Sequence, residues 1–154
     1  MPESRRLLVV HHTVSPATET LLASALEGAR HPAITGVEVV VRPALVAGAV
    51  EALEADGYLL GSPVNIGYVS GALKHFFDTI YYPCLEATVG RPFGLWLHAG
   101  GDAAGALRAV QAITAGLRWR AAQPPVIVTG TPSDADRAAV REMAAAVAAG
   151  LMPD

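Results

Sequence analysis

The sequence predicts an α/β fold in which helices cover both faces of a parallel β-sheet. Short apolar runs rich in β-branched residues alternate five times with longer helical patterns. The apolar runs are continuous rather than alternating, as expected for parallel strands that are buried on both faces. The chain has 154 residues, the length of one domain. We therefore expect a single three-layer domain over residues 1–154.

Each βα unit is predicted from local signals. Ser15 and Pro16 follow the first apolar run and are typical of a helix start. Pro43 stands just before the second helix, and Ser133 and Gly150 are suited to begin and end the last one. The predicted strands are 6–12, 37–41, 57–62, 92–99 and 124–130, and the predicted helices are 16–30, 44–55, 70–82, 102–119 and 133–150.

The composition excludes several classes of protein. Hydrophobic residues make up 52% and charged residues 16% of the chain, which excludes a disordered one. The net charge of -3 gives no basic surface for DNA or RNA. A single cysteine, Cys84, excludes an internal disulfide and a cysteine-based metal cluster. No apolar run approaches the roughly 18 residues of a membrane span, and the N-terminal LLVV is too short for a signal peptide. We expect a cytoplasmic protein with no membrane partner.

Ligands of open α/β sheets bind outside the carboxyl ends of the strands. Three segments with unusual residues follow predicted strands, namely 11–18, 61–71 and 98–105. In the first, HHTVSPAT, the helix N-terminus and the hydroxyls of Thr13, Ser15 and Thr18 could hold an anion without any lysine. The alternative is that Ser15 only caps the helix and the threonines fill a turn.

Several other sites are excluded by what the loops lack. GGDAAG at 100–105 has the glycines of a Walker loop, but Ala106 stands where lysine is needed. No GxGxxG pattern follows the first strand, and GYVSG around Ser70 has the wrong spacing for a nucleophile elbow. His11 and His12 face opposite sides of a strand with no clear third ligand, so we expect no metal site.

The second segment carries the most specific pattern. Gly61-Ser62-Pro63, Gly67-Tyr68-Val69-Ser70 and Lys74-His75-Phe76-Phe77-Asp78 resemble the corresponding loop and helix of flavodoxin-like NAD(P)H-dependent FMN reductases and quinone reductases. The first segment is similar to the phosphate loop of that family, with Pro16 in place of the usual glycine. The third is similar to its glycine-rich loop after strand four, with His98 in place of a hydroxyl residue.

This resemblance implies a three-layer flavodoxin-like fold with a five-stranded parallel sheet in the order 2-1-3-4-5. It also implies an FMN cofactor, NADPH or NADH as transient reductant, and a small electron acceptor such as a quinone or free flavin. A homodimer is compatible with the sequence, and no catalytic side chain is assigned. The implied FMN-binding residues are Thr13, Ser15, Pro16, Ala17, Thr18, Pro63, Val64, Asn65, Ile66, Gly67, Tyr68, His98, Ala99, Gly100, Gly101 and Asp102.

Two other functions stay open. Flavodoxins that shuttle single electrons are strongly acidic, whereas 11 basic residues here nearly balance 14 acidic ones, which favours a reductase. A flavodoxin-like module without flavin is the other alternative, because Pro16 and His98 depart from the family pattern. His98 could donate a hydrogen bond to the flavin or acceptor, or simply pack at a strand end, and Tyr68 could stack on the ring or be a plain loop residue.

Overall fold

The computed structural model describes residues 4–154, in which strands and helices alternate along the chain. The strands are β1 (Arg5–His11), β2 (Val37–Pro43), β3 (Gly57–Asn65), β4 (Tyr68–Val69), β5 (Pro92–Ala99), β6 (Arg120–Ala121) and β7 (Val126–Thr129). The helices are α1 (Pro16–Ala29), α2 (Ala49–Glu54), α3 (Gly71–Cys84), α4 (Ala104–Gly116) and α5 (Asp134–Ala149).

The principal strands form the predicted parallel sheet. β1 lies between β2 and β3, and β3 pairs with β5 on its other side. The two-residue β6 pairs with the beginning of β5, and β7 pairs with its end. If the short strands β4 and β6 are set aside, the five principal strands lie in the order β2-β1-β3-β5-β7. Counted from one to five along the chain, this is the order 2-1-3-4-5, so the prediction is confirmed.

Alternate side chains of the sheet enter two separate apolar cores. Leu8, Val10 and Leu60 pack on one face beneath α2, α3 and α4. Leu7 and Trp96 pack on the other face beneath α1 and α5. The central strands β1, β3 and β5 are thus covered on both sides, which explains their continuous apolar runs, whereas the edge strand β2 is only partly buried. Among the residues described, no helix has the length and apolar character needed to cross a membrane.

The second helix is shorter than predicted. Residues 44–46 form a turn, and α2 begins only at Ala49. Ala44 donates its backbone N–H to the His11 carbonyl at 2.7 Å, which holds the chain against the end of β1. Gly48 disfavours a helix interior, and its N–H is accepted by the Glu51 side chain at 3.2 Å. The apolar pattern at 44–55 therefore includes a turn in which Leu45 and Val46 are exposed.

The third strand is longer than predicted. β3 continues to Asn65, and the chain returns in β4, so most of the predicted loop at 61–71 is a β-hairpin. Pro63 is accommodated in β3 although proline cannot donate to a ladder. The hairpin is closed by the Val64–Val69 and Asn65–Tyr68 pairs.

Candidate functional site

The three predicted loops lie side by side at the carboxyl edge of the sheet. In the strand register, His11 at the end of β1 is opposite Gly61 in β3. Pro63 in β3 is in turn opposite His98 in β5. The N–H of His12 also donates to the Gly61 carbonyl at 2.9 Å, which fixes the first loop to β3. The fold therefore brings the three groups of predicted site residues to one edge.

The first loop satisfies most of its own donors. Ser15 caps α1, and its Oγ accepts from the Thr18 N–H at 3.2 Å. Thr18 Oγ1 in turn accepts from the N–H groups of Val14 and Ser15 at 3.0 and 2.9 Å. Thr18 is only 3% exposed, and Pro16 has no N–H to offer. Three N–H groups of this turn are thus paired within it, and a contact between Thr18 and a ligand stays a prediction.

The first loop also carries no fixed positive charge. His11 Nδ1 lies 2.8 Å from Thr13 Oγ1. Partial burial, assisted by the neighbouring His12, holds the pKa of His11 below its usual value of 6.5. His11 is therefore largely uncharged at neutral pH and acts as a hydrogen-bonding partner of Thr13.

The hairpin between β3 and β4 presents a strained, exposed tip. Ile66 and Gly67 form its two-residue turn with φ angles of 52° and 70°. Hairpin turns of this hand favour asparagine or glycine at both positions, and the left-handed conformation costs another residue about 1–2 kcal/mol. The Ile66 side chain is fully exposed and Tyr68 is half-exposed. No packing of the Ile66 side chain offsets the strain.

Two buried serines hold the base of this hairpin. Ser62 Oγ lies 2.7 Å from Ser70 Oγ and 2.8 Å from the Pro63 carbonyl. Ser70 Oγ also accepts the N–H of Leu73 at 3.2 Å and so caps α3. These contacts fix both ends of the hairpin to the start of α3 and give Ser62 and Ser70 a structural reason to be hydroxyl residues.

The hairpin tip also rests on α4. A Cβ placed on Gly105, in the first turn of α4, would lie 2.4 Å from the Gly67 carbonyl oxygen. Only glycine permits this approach without a shift of the backbone. Gly105 was not among the predicted site residues, yet it determines where the hairpin sits relative to the third loop.

The third loop borders open space. At Gly100 and Gly101, no atom beyond the chain neighbours lies within 4 Å of the position that a Cβ would take. Asp102 Oδ1 accepts the N–H of Ala104 at 2.9 Å and orders the start of α4, while Ala99 is buried. The exposed glycine backbone leaves room for a flat ring to approach closely, which fits an isoalloxazine.

His98 connects the third loop to residues 130–132, which were not predicted to belong to the site. Its Nε2 lies 2.8 Å from the Gly130 carbonyl, and because a carbonyl only accepts, Nε2 carries the proton. A pocket of about 430 Å³ lies here, between the starts of α1 and α5. It is lined by Ser15, Pro16, Ala17, Thr20, His98, Gly130, Thr131, Pro132 and Arg137. The position of residues 130–133 directly after a strand, at the same edge of the sheet, could have indicated from the sequence that they border the site.

The chain matches one known protein family and part of one curated relative. Residues 18–147 match the family described as NADPH-dependent FMN reductase. A flavodoxin from Aquifex aeolicus (strain VF5) is 36% identical over 75 residues, which are 49% of this chain and 40% of that flavodoxin. The chain thus matches less than half the length of this curated relative. The family match begins at Thr18 and so does not include the predicted site residues between 13 and 17.

Solved structures show the same fold at low sequence identity. The flavodoxin, WrbA-like protein from Agrobacterium tumefaciens has a TM-score of 0.77 and 18% identity, over 97% of this chain and 100% of that one. A flavodoxin from the domain Archaea has a TM-score of 0.79 and 17% identity, over 95% and 98% of the two chains. Rubredoxin oxygen:oxidoreductase from Desulfovibrio gigas has a TM-score of 0.80 and 16% identity, over 97% of this chain and 36% of that one. With its flavodoxin-like fold and a family match over most of its length, the chain belongs to the NADPH-dependent FMN reductase family.

Proposed function

We propose that the protein binds FMN and transfers hydride from NADH or NADPH to a small acceptor such as a quinone or free flavin. The observation that carries this proposal is the open space at the carboxyl edge, bordered by the hairpin and the Gly100-Gly101 backbone. Bound FMN would supply the redox chemistry, because it accepts a hydride and returns electrons to a second substrate. This chemistry needs no catalytic dyad from the protein.

The chain would hold and orient the flavin from three sides. The first loop and the N-terminus of α1 would face the phosphate. Residues 63–68 would edge the ring, and the Ser62–Ser70 contact fixes their position. The loop at 98–102 would lie along the ring, where the two glycines leave space for it.

The electrostatics of the edge favour a neutral acceptor. Segments 11–18, 61–70 and 98–105 contain no lysine or arginine and only one acidic residue, Asp102. The exposed side chains beside the expected ring, Ile66 and Tyr68, offer mainly apolar surface. A flat, uncharged molecule such as a quinone suits this surface better than a highly charged one.

The first test is the absorbance spectrum of the protein after FMN is added and the excess is removed. Retained flavin bands, bleached by NADH or NADPH without oxygen and restored by a quinone, are the expected result. A colourless protein contradicts FMN binding and favours a flavodoxin-like module without flavin, for which the self-satisfied first loop is the specific support.

A single-electron carrier is the second candidate, and the partial identity to a flavodoxin supports it. Its distinguishing result is a yellow protein that NADH and NADPH do not reduce but a low-potential electron donor does. The electron count separates the candidates further, because a reductase should consume one NAD(P)H for each quinone that is reduced by two electrons.

A further inference from the structure

The pocket between α1 and α5 places a cation beside the expected phosphate loop. Ser15, Pro16 and Ala17 form one wall, and the segment 130–132 with Arg137 forms the other. Arg137 lies in the first turn of α5, at the same edge of the sheet as the start of α1. The loops predicted to hold FMN contain no lysine or arginine. Arg137 therefore brings to this pocket a positive charge that none of those loops supplies.

The first loop by itself is a poor partner for a phosphate dianion. Thr18 Oγ1 already accepts the N–H groups of Val14 and Ser15, and the Thr18 N–H donates to Ser15 Oγ. Pro16 removes a further donor where the family pattern has glycine. A further donor from elsewhere in the fold would therefore strengthen phosphate binding at this helix start.

Arg137 has donors to spare for such an anion. Its guanidinium contacts the Asp134 carboxylate and lies 3.3 Å from the Pro132 carbonyl. The Asp134 side chain is 97% exposed, so water screens this ion pair and an anion can compete with it. A guanidinium has five N–H donors in a planar fork that matches two phosphate oxygens.

We propose that Arg137 binds the phosphate group of FMN across the α1–α5 pocket, replacing the donors that the first loop uses internally or lacks at Pro16. The proposal rests on the FMN binding proposed above and adds a ligand from a fourth segment of the chain. Asp134 then competes with the phosphate for the same guanidinium.

The test is the dissociation constants of FMN and riboflavin, measured by flavin fluorescence at low salt. Arg137→Gln should weaken FMN binding by about tenfold or more and leave riboflavin binding unchanged, since loss of a charge-assisted hydrogen bond has that size. Arg137→Lys should recover part of the loss. Arg141→Gln, one turn further along α5, is the matched control and should stay within about twofold of the parent. Asp134→Asn should tighten FMN binding.

Equal FMN affinity in Arg137→Gln and the parent overturns the proposal while FMN binding itself stands. An equal loss for FMN and riboflavin also overturns it, because Arg137 would then act on the fold rather than on the phosphate. If the parent retains neither flavin, the proposed function fails first and this inference fails with it, so the two failures are distinguishable. A salt dependence of FMN binding that disappears in Arg137→Gln supports the proposal.

Discussion

The first loop and the β3–β4 hairpin meet at the same edge of the sheet but are built in opposite ways. In the first loop, Ser15 and Thr18 satisfy each other and the neighbouring backbone, and Thr18 is buried. In the hairpin, only the base is held by buried hydroxyls, while Ile66 at the tip is exposed in a left-handed conformation. The first loop is thus a helix start held by its own hydrogen bonds, whereas the hairpin presents exposed apolar side chains at its tip.

Gly61→Ala is expected to have the largest effect, because Gly61 supports both regions. A Cβ at this position would lie 2.0 Å from ring carbons of Trp96, and the Gly61 carbonyl accepts the His12 N–H of the first loop. We expect a loss of about 2–3 kcal/mol in the free energy of unfolding, measured by urea denaturation. The matched control is Gly100→Ala, which meets open space and should change stability by less than about 0.5 kcal/mol. Equal stability of both variants would show that Trp96 relaxes freely.

Thr18→Val tests the hydrogen bonds of the first loop without changing the hairpin. It removes the hydroxyl that accepts from Val14 and Ser15 and leaves both N–H groups without this partner. We expect a loss of about 2 kcal/mol in unfolding free energy. Thr20→Val is the control, since the Thr20 hydroxyl only donates to the Pro16 carbonyl at an exposed site. A loss no larger in Thr18→Val than in this control would contradict the account of a self-satisfied loop.

Ile66→Asn removes strain from the hairpin, so here the expected sign is reversed. Asparagine tolerates the φ of 52° better than a β-branched residue, and the Ile66 side chain is fully exposed. We expect a gain of about 1 kcal/mol in unfolding free energy, measured by thermal and urea denaturation. If Ile66 presents apolar surface to the acceptor, the KM for a quinone should rise in the same variant. A loss of stability would mean that the turn carries no strain.

The sequence was informative where one local rule decided the structure. Strand 92–99 is found with the predicted bounds, and Ser15, Ser70 and Ser133 each cap a helix. It was less informative at α2, because an apolar run of Leu45, Val46 and Val50 resembles a helix face although the first two lie in a turn. In the 61–71 segment, Pro63 and Gly67 suggested a loop, but pairing of Val64 with Val69 extends the strand.

Site residues set by tertiary contact could not be found in the same way. Gly105 is needed only because the Gly67 carbonyl packs against it, and that contact joins two residues that are far apart in the sequence. Arg137 stands more than a hundred positions after the first loop, and only the packing of α5 beside α1 brings it to the same pocket. The internal use of Thr18 likewise depends on the fold of the turn rather than on its composition.

The smallest expected effect concerns the pH dependence of the first loop. Burial and the neighbouring His12 lower the pKa of His11 in the folded protein below the usual value of 6.5. Between the folded-state pKa and 6.5, the unfolded chain therefore binds more protons than the folded one. The stability contributed by neutral His11 is therefore complete above about pH 6.5 and is lost as the pH falls through the folded-state pKa. His11→Asn should flatten the fall in unfolding free energy below pH 6.5, measured by urea titrations at several pH values. An unchanged slope in His11→Asn would mean that protonation of this ring does not oppose the loop, and that the hydroxyls alone define its rigid form.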